Sequence, residues 1–425
     1  MAVDPPTTGR LRAMRNLAVV SLHTSPLAQP GIGDGGGMNI YVRELCSALA
    51  RTGVECDIYT RADGSAPSAT IEVEPGMRVH YVTAGPAQGL AKSELASTVA
   101  QFTASVLEHM GGPGCLPDAI HSHYWLSGLV GHSLKHQLDR PLISTFHTLA
   151  RVKAATYGSE DPDEPIWRAE AEEEIMGCSD AVVVSSHVEA EQLEVYYGTD
   201  PARMRILSPG VDHAYYGPGN RVQARRALGL PSEGPLLLFV GRIQPLKGAD
   251  IAIRVLGGVA RAIPNARLVV VGGPSGPSGE AELKRIRKLA VDLDLVGQVR
   301  FVEPQPHELL STYYRAADVC LVPSRSESFG LVAVEAAACG TPVVASQVGG
   351  LLTLVDHGRT GFLVPSGEVE GFVDRSLEII EDPLLAQAMA HDSARRARRY
   401  RWSQAAANLV RWCDALAEER LVECR

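Results

Sequence analysis

Two glutamates eight positions apart, Glu327 and Glu335, bracket the segment Ser326-Glu-Ser-Phe-Gly-Leu-Val-Ala-Val-Glu335. Phe329-Gly330 stands where a loop should turn into a helix. A glycine there lets a phosphate approach the backbone N–H groups at the helix start, where the dipole favours an anion. Carboxylates on either side of such a point are poor phosphate ligands and good acceptors for sugar hydroxyls. The layout suits a nucleotide-sugar, with its diphosphate in the middle and a sugar at each end. Ala333, Val334 and Ala336–Ala338 leave no polar face around Glu335, which argues against a merely solvated helix. Upstream, Gly241-Arg242-Ile-Gln-Pro-Leu-Lys247-Gly follows an apolar run. An Arg and a Lys at this spacing can straddle two phosphates, each charge-assisted contact contributing ~1.5–3 kcal/mol.

The first half holds further candidates. Gly35-Gly36-Gly37 would let backbone N–H groups come close to a phosphate. His121 and His123 stand two apart like metal ligands, but no third ligand follows at usable spacing, so they read as strand-end structure. Asp161-Pro-Asp163 sits in a Gly/Glu/Pro-rich loop and reads the same way. Lys92 and Arg168, taken alone, look like surface charges. The acidic run Glu170, Glu172–Glu174 reads as a solvated helix face that also pairs with arginine.

These residues need a scaffold. Short β-branched runs alternate with helical patterns, which argues for parallel sheets covered by helices. Strands are expected at Leu17–Leu22, Cys56–Tyr59, Ala119–His121, Leu142–Ser144, Ala181–Val184 and Arg205–Leu207. The scheme restarts with Leu236–Val240, Leu268–Val271, Val299–Phe301, Val319–Val322 and Val343–Ala345. Helices are expected at 39–51, 250–263 and, in one Arg-rich stretch, 386–423. The switch falls near Pro209–Asp212, and Tyr216–Arg221 reads as a hinge. This divides the chain into residues 1–212, residues 213–400 and a C-terminal helix, 401–425, able to return to the first domain. Two doubly wound domains imply a cleft between the carboxyl ends of two sheets. No Gly-x-x-x-x-Gly-Lys-Ser/Thr loop is present, and the glycines after Leu22 do not fit Gly-x-Gly-x-x-Gly, which weakens kinase and dehydrogenase readings.

Composition narrows the partners. A chain of 425 residues with formal net charge −9 has no overall basic field for nucleic acid or an anionic membrane. Met1–Arg15 lacks an apolar signal-like core, and nothing approaches the ~20 apolar residues of a membrane span. No two of the eight cysteines stand at Cys-x-x-Cys spacing. Buried free thiols in a cytoplasmic protein are therefore expected.

The Glu-x7-Glu segment with Ser-Phe-Gly-Leu resembles family 4 (GT4) of the retaining glycosyltransferases, and Arg242–Lys247 looks like that family's diphosphate loop. The N-terminal motifs look like the branch acting on inositol 3-phosphate in mycothiol biosynthesis. They are His23-Thr-Ser-Pro-Leu-Ala-Gln29-Pro30-Gly, Asp34–Asn39, His121-Ser-His-Tyr124-Trp-Leu-Ser-Gly and Phe146-His147-Thr148. The resemblance runs from about residue 17 to 415. It implies the GT-B fold, with two Rossmann-like domains facing a cleft, the first for the acceptor and the second for the nucleotide-sugar. It also implies transfer of N-acetylglucosamine from UDP to 1D-myo-inositol 3-phosphate, small-molecule partners, and room for a homodimer.

Residue by residue, the resemblance gives Arg242 and Lys247 the UDP diphosphate, Glu335 the ribose and Glu327 the transferred sugar. Gln305 would meet the uracil through its backbone, while Gln29, Pro30 and Gly37 close over the donor. The acceptor falls to His23, Asp34, Gly35, Gly36, Gly37, Met38, Asn39, Lys92, Tyr124, Thr148 and Arg168. Of these, Lys92, Tyr124, Thr148 and Arg168 form a phosphate clamp of two cations and two hydroxyls. His147 would line the reacting centre through its backbone carbonyl, with Arg242, Lys247 and Glu327 completing the catalytic set. A structural Mg2+ would sit at Tyr314, Arg315, Ala317 and Thr341. Four departures touch this pattern: Gly35 where Ala is expected, Gly248-Ala249 for Ala-Pro, Arg325 for Tyr, and Ser185-Ser186 for Asn-Thr. Other transferases of the family, with sucrose-phosphate-synthase-like or aminocyclitol acceptors, remain alternatives, as do an epimerase or hydrolase on the same fold.

Overall fold

Runs of branched apolar residues bounded by turns become buried strands in two sheets, which is how strands covered on both faces by helices read in sequence. The computed structural model describes residues 14–66, 69–111, 116–157, 165–276 and 278–424. Cys115, Asp161, Asp163 and residues 1–13 of the N-terminal segment lie outside the described residues. The first sheet comprises β1 (Asn16–Val20), β2 (Glu55–Arg61), β3 (Thr70–Glu74), β4 (Met77–Val82), β5 (Ala119–His123), β6 (Leu142–Thr145), β7 (Ala181–Val184) and β8 (Met204–Ile206). The second comprises β9 (Leu236–Val240), β10 (Arg267–Val271), β11 (Val299–Val302), β12 (Val319–Val322), β13 (Val343–Ser346) and β14 (Gly361–Val364).

The orders are β3-β4-β2-β1-β5-β6-β7-β8 and β11-β10-β9-β12-β13-β14. Every pairing is parallel except β3 on β4. Both sheets reverse direction of winding beside their first strand, between β1 and β5 and between β9 and β12. Ligands bind at such points, outside the carboxyl ends of the strands. This is the two-domain GT-B arrangement.

β3, β4 and β14 were not anticipated. β3 is an edge strand carrying Glu72 and Glu74, charges that protect an edge while hiding its strand character. The C-terminal region also differs from the single helix expected. It forms two helices, Pro383–Ala397 and Trp402–Leu416, and residues 417–424 are not helical. The break at Arg398–Arg401 is where the chain crosses back to the first domain, beside the outward crossing. Val211 donates its N–H to the Tyr400 carbonyl at 3.2 Å. A Cβ on Gly210 would lie 2.2 Å from the Trp402 nitrogen, so glycine is required there. Helix Trp402–Leu416 then buries Trp402, Ala405, Leu409 and Cys413 against Tyr41, Leu45 and Leu49 of helix Gly37–Ala50.

The expectation of free thiols throughout is also corrected. Cys46, Cys56, Cys320, Cys339 and Cys413 are free and buried, but Cys178 and Cys424 are joined as a disulfide. Their sequence separation of 246 gives no local spacing to read.

Candidate active site

The second domain builds a cationic shelf directly after β9. Arg242 leaves the strand end and reaches across the cleft to the first domain, where a Cβ on Gly36 would meet its Nε at 3.2 Å. Burial pulls its pKa down, opposed by Asp34, Glu327 and Tyr124. Its guanidinium has no hydrogen bond or ion pair with any described residue. A cation so enclosed and unpaired is a receptor for an anion. Lys247 closes the short turn Pro245–Lys247, and Gly248 ends it at φ +72°. A Cβ on Gly248 would stand 2.2 Å from the Pro323 carbonyl oxygen, so only glycine fits. Lys247 Nζ donates to Glu327 Oε2 at 2.7 Å, which also accepts from Ser324 Oγ at 3.2 Å.

Gly330, at φ +104°, starts the helix Leu331–Ala338. Opposite it, Gly36 caps the helix Gly37–Ala50, and Gly37 lies so close that an added Cβ would be 3.4 Å from Leu331 Cδ1. Two helix N-termini, one from each domain, therefore meet at the cleft with their positive ends. One turn further on, Glu335 is buried. It accepts from His307 Nε2 at 2.7 Å and from the Tyr314 hydroxyl at 2.8 Å. Two donors leave lone pairs on a carboxylate for a ribose diol. Burial pushes the His307 imidazole down, but the Glu335 carboxylate more than offsets it, and the net pKa is raised.

These groups line a cavity of about 570 Å³ between the domains, together with Pro30, His147, Thr148 and Gln305. Gln29 Nε2 donates to the Gln305 carbonyl at 2.7 Å, so a base reading that oxygen would share it with Gln29. Met38 lines the cavity too, whereas Asn39 is turned inward. Its amide donates to Thr24 Oγ1 and the Ser25 carbonyl and accepts from the Gly36 N–H, so it braces the glycine loop. Gly35 is fixed by the same loop, since a Cβ would lie 2.6 Å from the Gln29 oxygen.

The remaining first-domain candidates gather around His23. Its ring lies 4.4 Å from that of Tyr124, and its buried Nδ1 has no hydrogen-bond partner among the described residues. Burial lowers its pKa to about 3; Lys92, His147 and Arg168 push the same way, against Asp34. Burial would raise the Asp34 carboxyl, but Lys92, paired with it at 3.0 Å, holds it below its ordinary value. Arg168 lies over the Tyr124 ring at 5.0 Å and donates through Nη2 to the Thr148 carbonyl and hydroxyl. Its Nε pairs with Glu172 at 2.7 Å, with both side chains fully buried. Arg168 and Glu172 are therefore core groups, which corrects the reading of Arg168 as a surface charge and of Glu172 as part of a solvated face.

Tyr124 follows β5 directly and His147 stands two residues after β6, and both hold positive φ, 76° and 62°. Such strain in non-glycine residues persists only where the surroundings impose it, often at functional sites. His147 Nε2 meets His123 Nδ1 at 2.9 Å, and burial lowers the His147 pKa to about 3. The His147 carbonyl accepts from Ser328 Oγ at 2.5 Å, a link between domains. His121 and His123 end β5 in the same buried group, with ring centroids 4.1 Å apart.

Sequence reasoning missed several supporting residues. Ser185 Oγ bonds Glu189 Oε2 and the Ser328 carbonyl, and Ser186 caps the helix His187–Tyr197. Arg325 holds the lysine turn through the Pro245 carbonyl and Asp250. The departures at 185, 186 and 325 marked these positions, but nothing local named their partners.

The four residues proposed for magnesium lie outside the cavity lining. Thr341 Oγ1 donates to the Tyr314 carbonyl at 2.6 Å, and Arg315 turns its guanidinium to the Gly217 carbonyl. These four residues bring a hydroxyl and carbonyl oxygens and no carboxylate of their own, a donor set that would suit only a weakly held, largely hydrated ion.

Comparison with known proteins agrees with this geometry. Residues 36–210 match the glycosyl transferase 4-like domain and residues 220–399 the glycosyl transferases group 1 family. The chain is 45% identical to the D-inositol 3-phosphate glycosyltransferase of Kribbella flavida, covering 94% of this chain and 95% of that protein. It is 44% identical to the Mycolicibacterium smegmatis enzyme of the same name, over 96% and 93%. Among solved structures, a sucrose-phosphate synthase from Thermosynechococcus elongatus superimposes with TM-score 0.87 at 33% identity, over 95% of this chain and 99% of that one. Among the described residues no helix is long and apolar enough to cross a membrane. The chain belongs to the D-inositol 3-phosphate glycosyltransferase family, within the group 1 glycosyl transferases.

Proposed function

We propose that the protein transfers N-acetylglucosamine from UDP-N-acetylglucosamine to 1D-myo-inositol 3-phosphate with retention of anomeric configuration. The observation that carries this reading is one cleft with cations and helix N–H groups on one side and a group of cations and hydroxyls beside the other. On one side stand Arg242, Lys247 and the helix start at Gly330. On the other, Thr148, Arg168, Lys92 and Tyr124 group around His23.

The carboxylates lining the cleft are already engaged: Glu327 by Lys247, Glu335 by His307 and Tyr314, Glu189 by Ser185. None stands free as a nucleophile for a double displacement. Retention then follows from attack by the acceptor hydroxyl on the same face that the diphosphate leaves. The sugar–phosphate bond breaks as the new glycosidic bond forms, and the hydroxyl proton passes to the departing phosphate oxygen. Arg242, Lys247 and the N–H groups after Gly330 stabilise the charge growing on UDP. His147, neutral in its buried setting, contributes its carbonyl oxygen to the transferred sugar rather than a proton. A magnesium ion held by Tyr314, Arg315, Ala317 and Thr341 would act as a hard cation bracing a turn, outside these steps.

Mass spectrometry of products from a mixed pool of sugar nucleotides and cyclitol phosphates tests the assignment. A single product carrying N-acetylhexosamine on inositol phosphate is expected. Turnover of the sugar nucleotide without acceptor would point to epimerase or hydrolase activity instead.

A further inference from the structure

Away from the cleft, four metal-ligating side chains from distant parts of the sequence converge. His132 and His136 are one turn apart on the helix Trp125–Leu138, Cys178 ends the helix Arg168–Cys178, and Cys424 lies in the C-terminal tail. Their ligand atoms all lie within 4.8 Å of one another, and among the described residues this is the one such cluster. His136 Nε2 is 3.0 Å and His132 Nε2 3.4 Å from Cys424 Sγ, and the two cysteine Cα atoms are 4.7 Å apart. A tetrahedral zinc ion with Zn–S about 2.3 Å and Zn–N about 2.0 Å sets ligand atoms roughly 3.3–3.8 Å apart, so small side-chain adjustments suffice.

We infer that His132, His136, Cys178 and Cys424 form a structural zinc site that fastens the C-terminal tail to the first domain when the two cysteines are reduced. Three features favour a metal over a chance cluster. Two thiolates and two neutral imidazoles are a complete ligand set that cancels the charge of Zn2+. Glu174 Oε1 lies 3.8 Å from His132 Nδ1, the nitrogen turned away from the sulfur, so a shift of under about 1 Å brings it to where a carboxylate orients a ligating histidine. The tail is already held in register, since Val422 donates its N–H to Asp180 Oδ1 at 2.7 Å and Lys135 pairs with the same carboxylate.

The disulfide is the metal-free form of the same site. Two molecules of a small thiol convert it to two cysteine thiols and the small thiol's own disulfide. Zinc binding then releases the two thiol protons.

The test uses the full-length chain, reduced with a non-chelating phosphine, freed of metal and titrated with zinc or cobalt. One ion per chain is expected, with the visible bands of tetrahedral cobalt. Cys424→Ser and His132→Gln should each weaken zinc at least a hundredfold, and Glu174→Gln, which keeps all four ligands, about tenfold. Transferase turnover should be unchanged in all three, which shows that they are folded. The oxidised chain should bind no zinc. Absence of stoichiometric metal in the reduced wild type, or wild-type affinity in both Cys424→Ser and His132→Gln, would overturn the assignment.

Discussion

Lys247 offers the sharpest test of how the cleft holds its donor. In the structure its ammonium is 2.7 Å from Glu327 Oε2, and both side chains are partly exposed. A partly exposed pair of this kind is worth ~0–1 kcal/mol. A charge-assisted contact to a diphosphate contributes ~1.5–3 kcal/mol. Exchanging one for the other leaves a net gain of about 1–2 kcal/mol on UDP binding. Lys247→Ala loses that gain and also leaves Glu327, now held by Ser324 alone, repelling the incoming diphosphate. We expect the Kd for UDP to rise about 10–100-fold by calorimetry, at roughly 1.4 kcal/mol per factor of ten. The fall in kcat/KM should be larger, because charge on the departing diphosphate grows in the transition state. The competing explanation is that Lys247 serves only to neutralise Glu327. The double variant Lys247→Ala/Glu327→Gln separates the two. If it binds UDP as the wild type does, Lys247 is a partner of Glu327 and no phosphate ligand. If UDP stays weak while Glu327→Gln alone spares it, the assignment stands.

Other expectations follow from the same geometry. Phosphorylated inositol should be preferred to free inositol at least a thousandfold in kcat/KM, and Lys92→Ala should narrow that preference while sparing UDP affinity; equal rates with both acceptors would remove the clamp. Arg168→Ala should destabilise the fold by ~3–5 kcal/mol in urea titrations, because it leaves Glu172 buried without its cation. Glu335→Gln should weaken UDP and also flatten a pH dependence. The raised pKa of His307 gives stability that is full below pH ~6.5 and fades as pH rises through the folded value, so the wild type should lose more stability than the variant between pH 6 and 8. His23, His121 and His147 behave oppositely. Their pKa values, lowered to about 3 by burial, give stability present above pH ~6.5 and lost on acidification, at up to ~1.4 kcal/mol per pH unit each. A His121→Asn variant with an unchanged acid slope would contradict this.

What the sequence shows well is what local chemistry encodes. Arg242, Lys247, Glu327 and Glu335 sit on strand ends and helix starts whose signals lie within a few residues, and the structure brings all four to one cavity. Gly330 was legible for the same reason, as the glycine of a loop-to-helix turn, whereas Gly248 stood out only as a departure from an expected Ala; both hold positive φ. What stayed hidden depends on long-range packing. Arg168 and Glu172 look like a polar helix face until β6 and Tyr197 are set around them, with the Tyr197 hydroxyl donating to Glu172. The positive φ of Tyr124 and His147 has no signature in either side chain. The links Ser328 to His147 and Ser185 to Ser328 join residues more than 140 positions apart. Asn39 shows the reverse case, where a motif residue supports the loop through its whole amide rather than facing a ligand.

The side-by-side crossings at Gly210 and Trp402 make the second domain an insertion within the first, and this orders events during synthesis. The first sheet is complete once Ile206 has emerged, yet helix Gly37–Ala50, already packed on that sheet, gains the rest of its apolar cover only from Trp402–Leu416. Roughly 200 further residues must be made first, on the order of 10–40 s at the usual elongation rate of ~5–20 residues per second. The domain begun first is thus finished last, after the inserted domain has had time to fold on its own. A premature stop just before Trp402 would spare the nucleotide-binding half and uncover the side of Tyr41, Leu45 and Leu49 that faces away from the sheet. The damage from losing the chain's last turns would fall on its first.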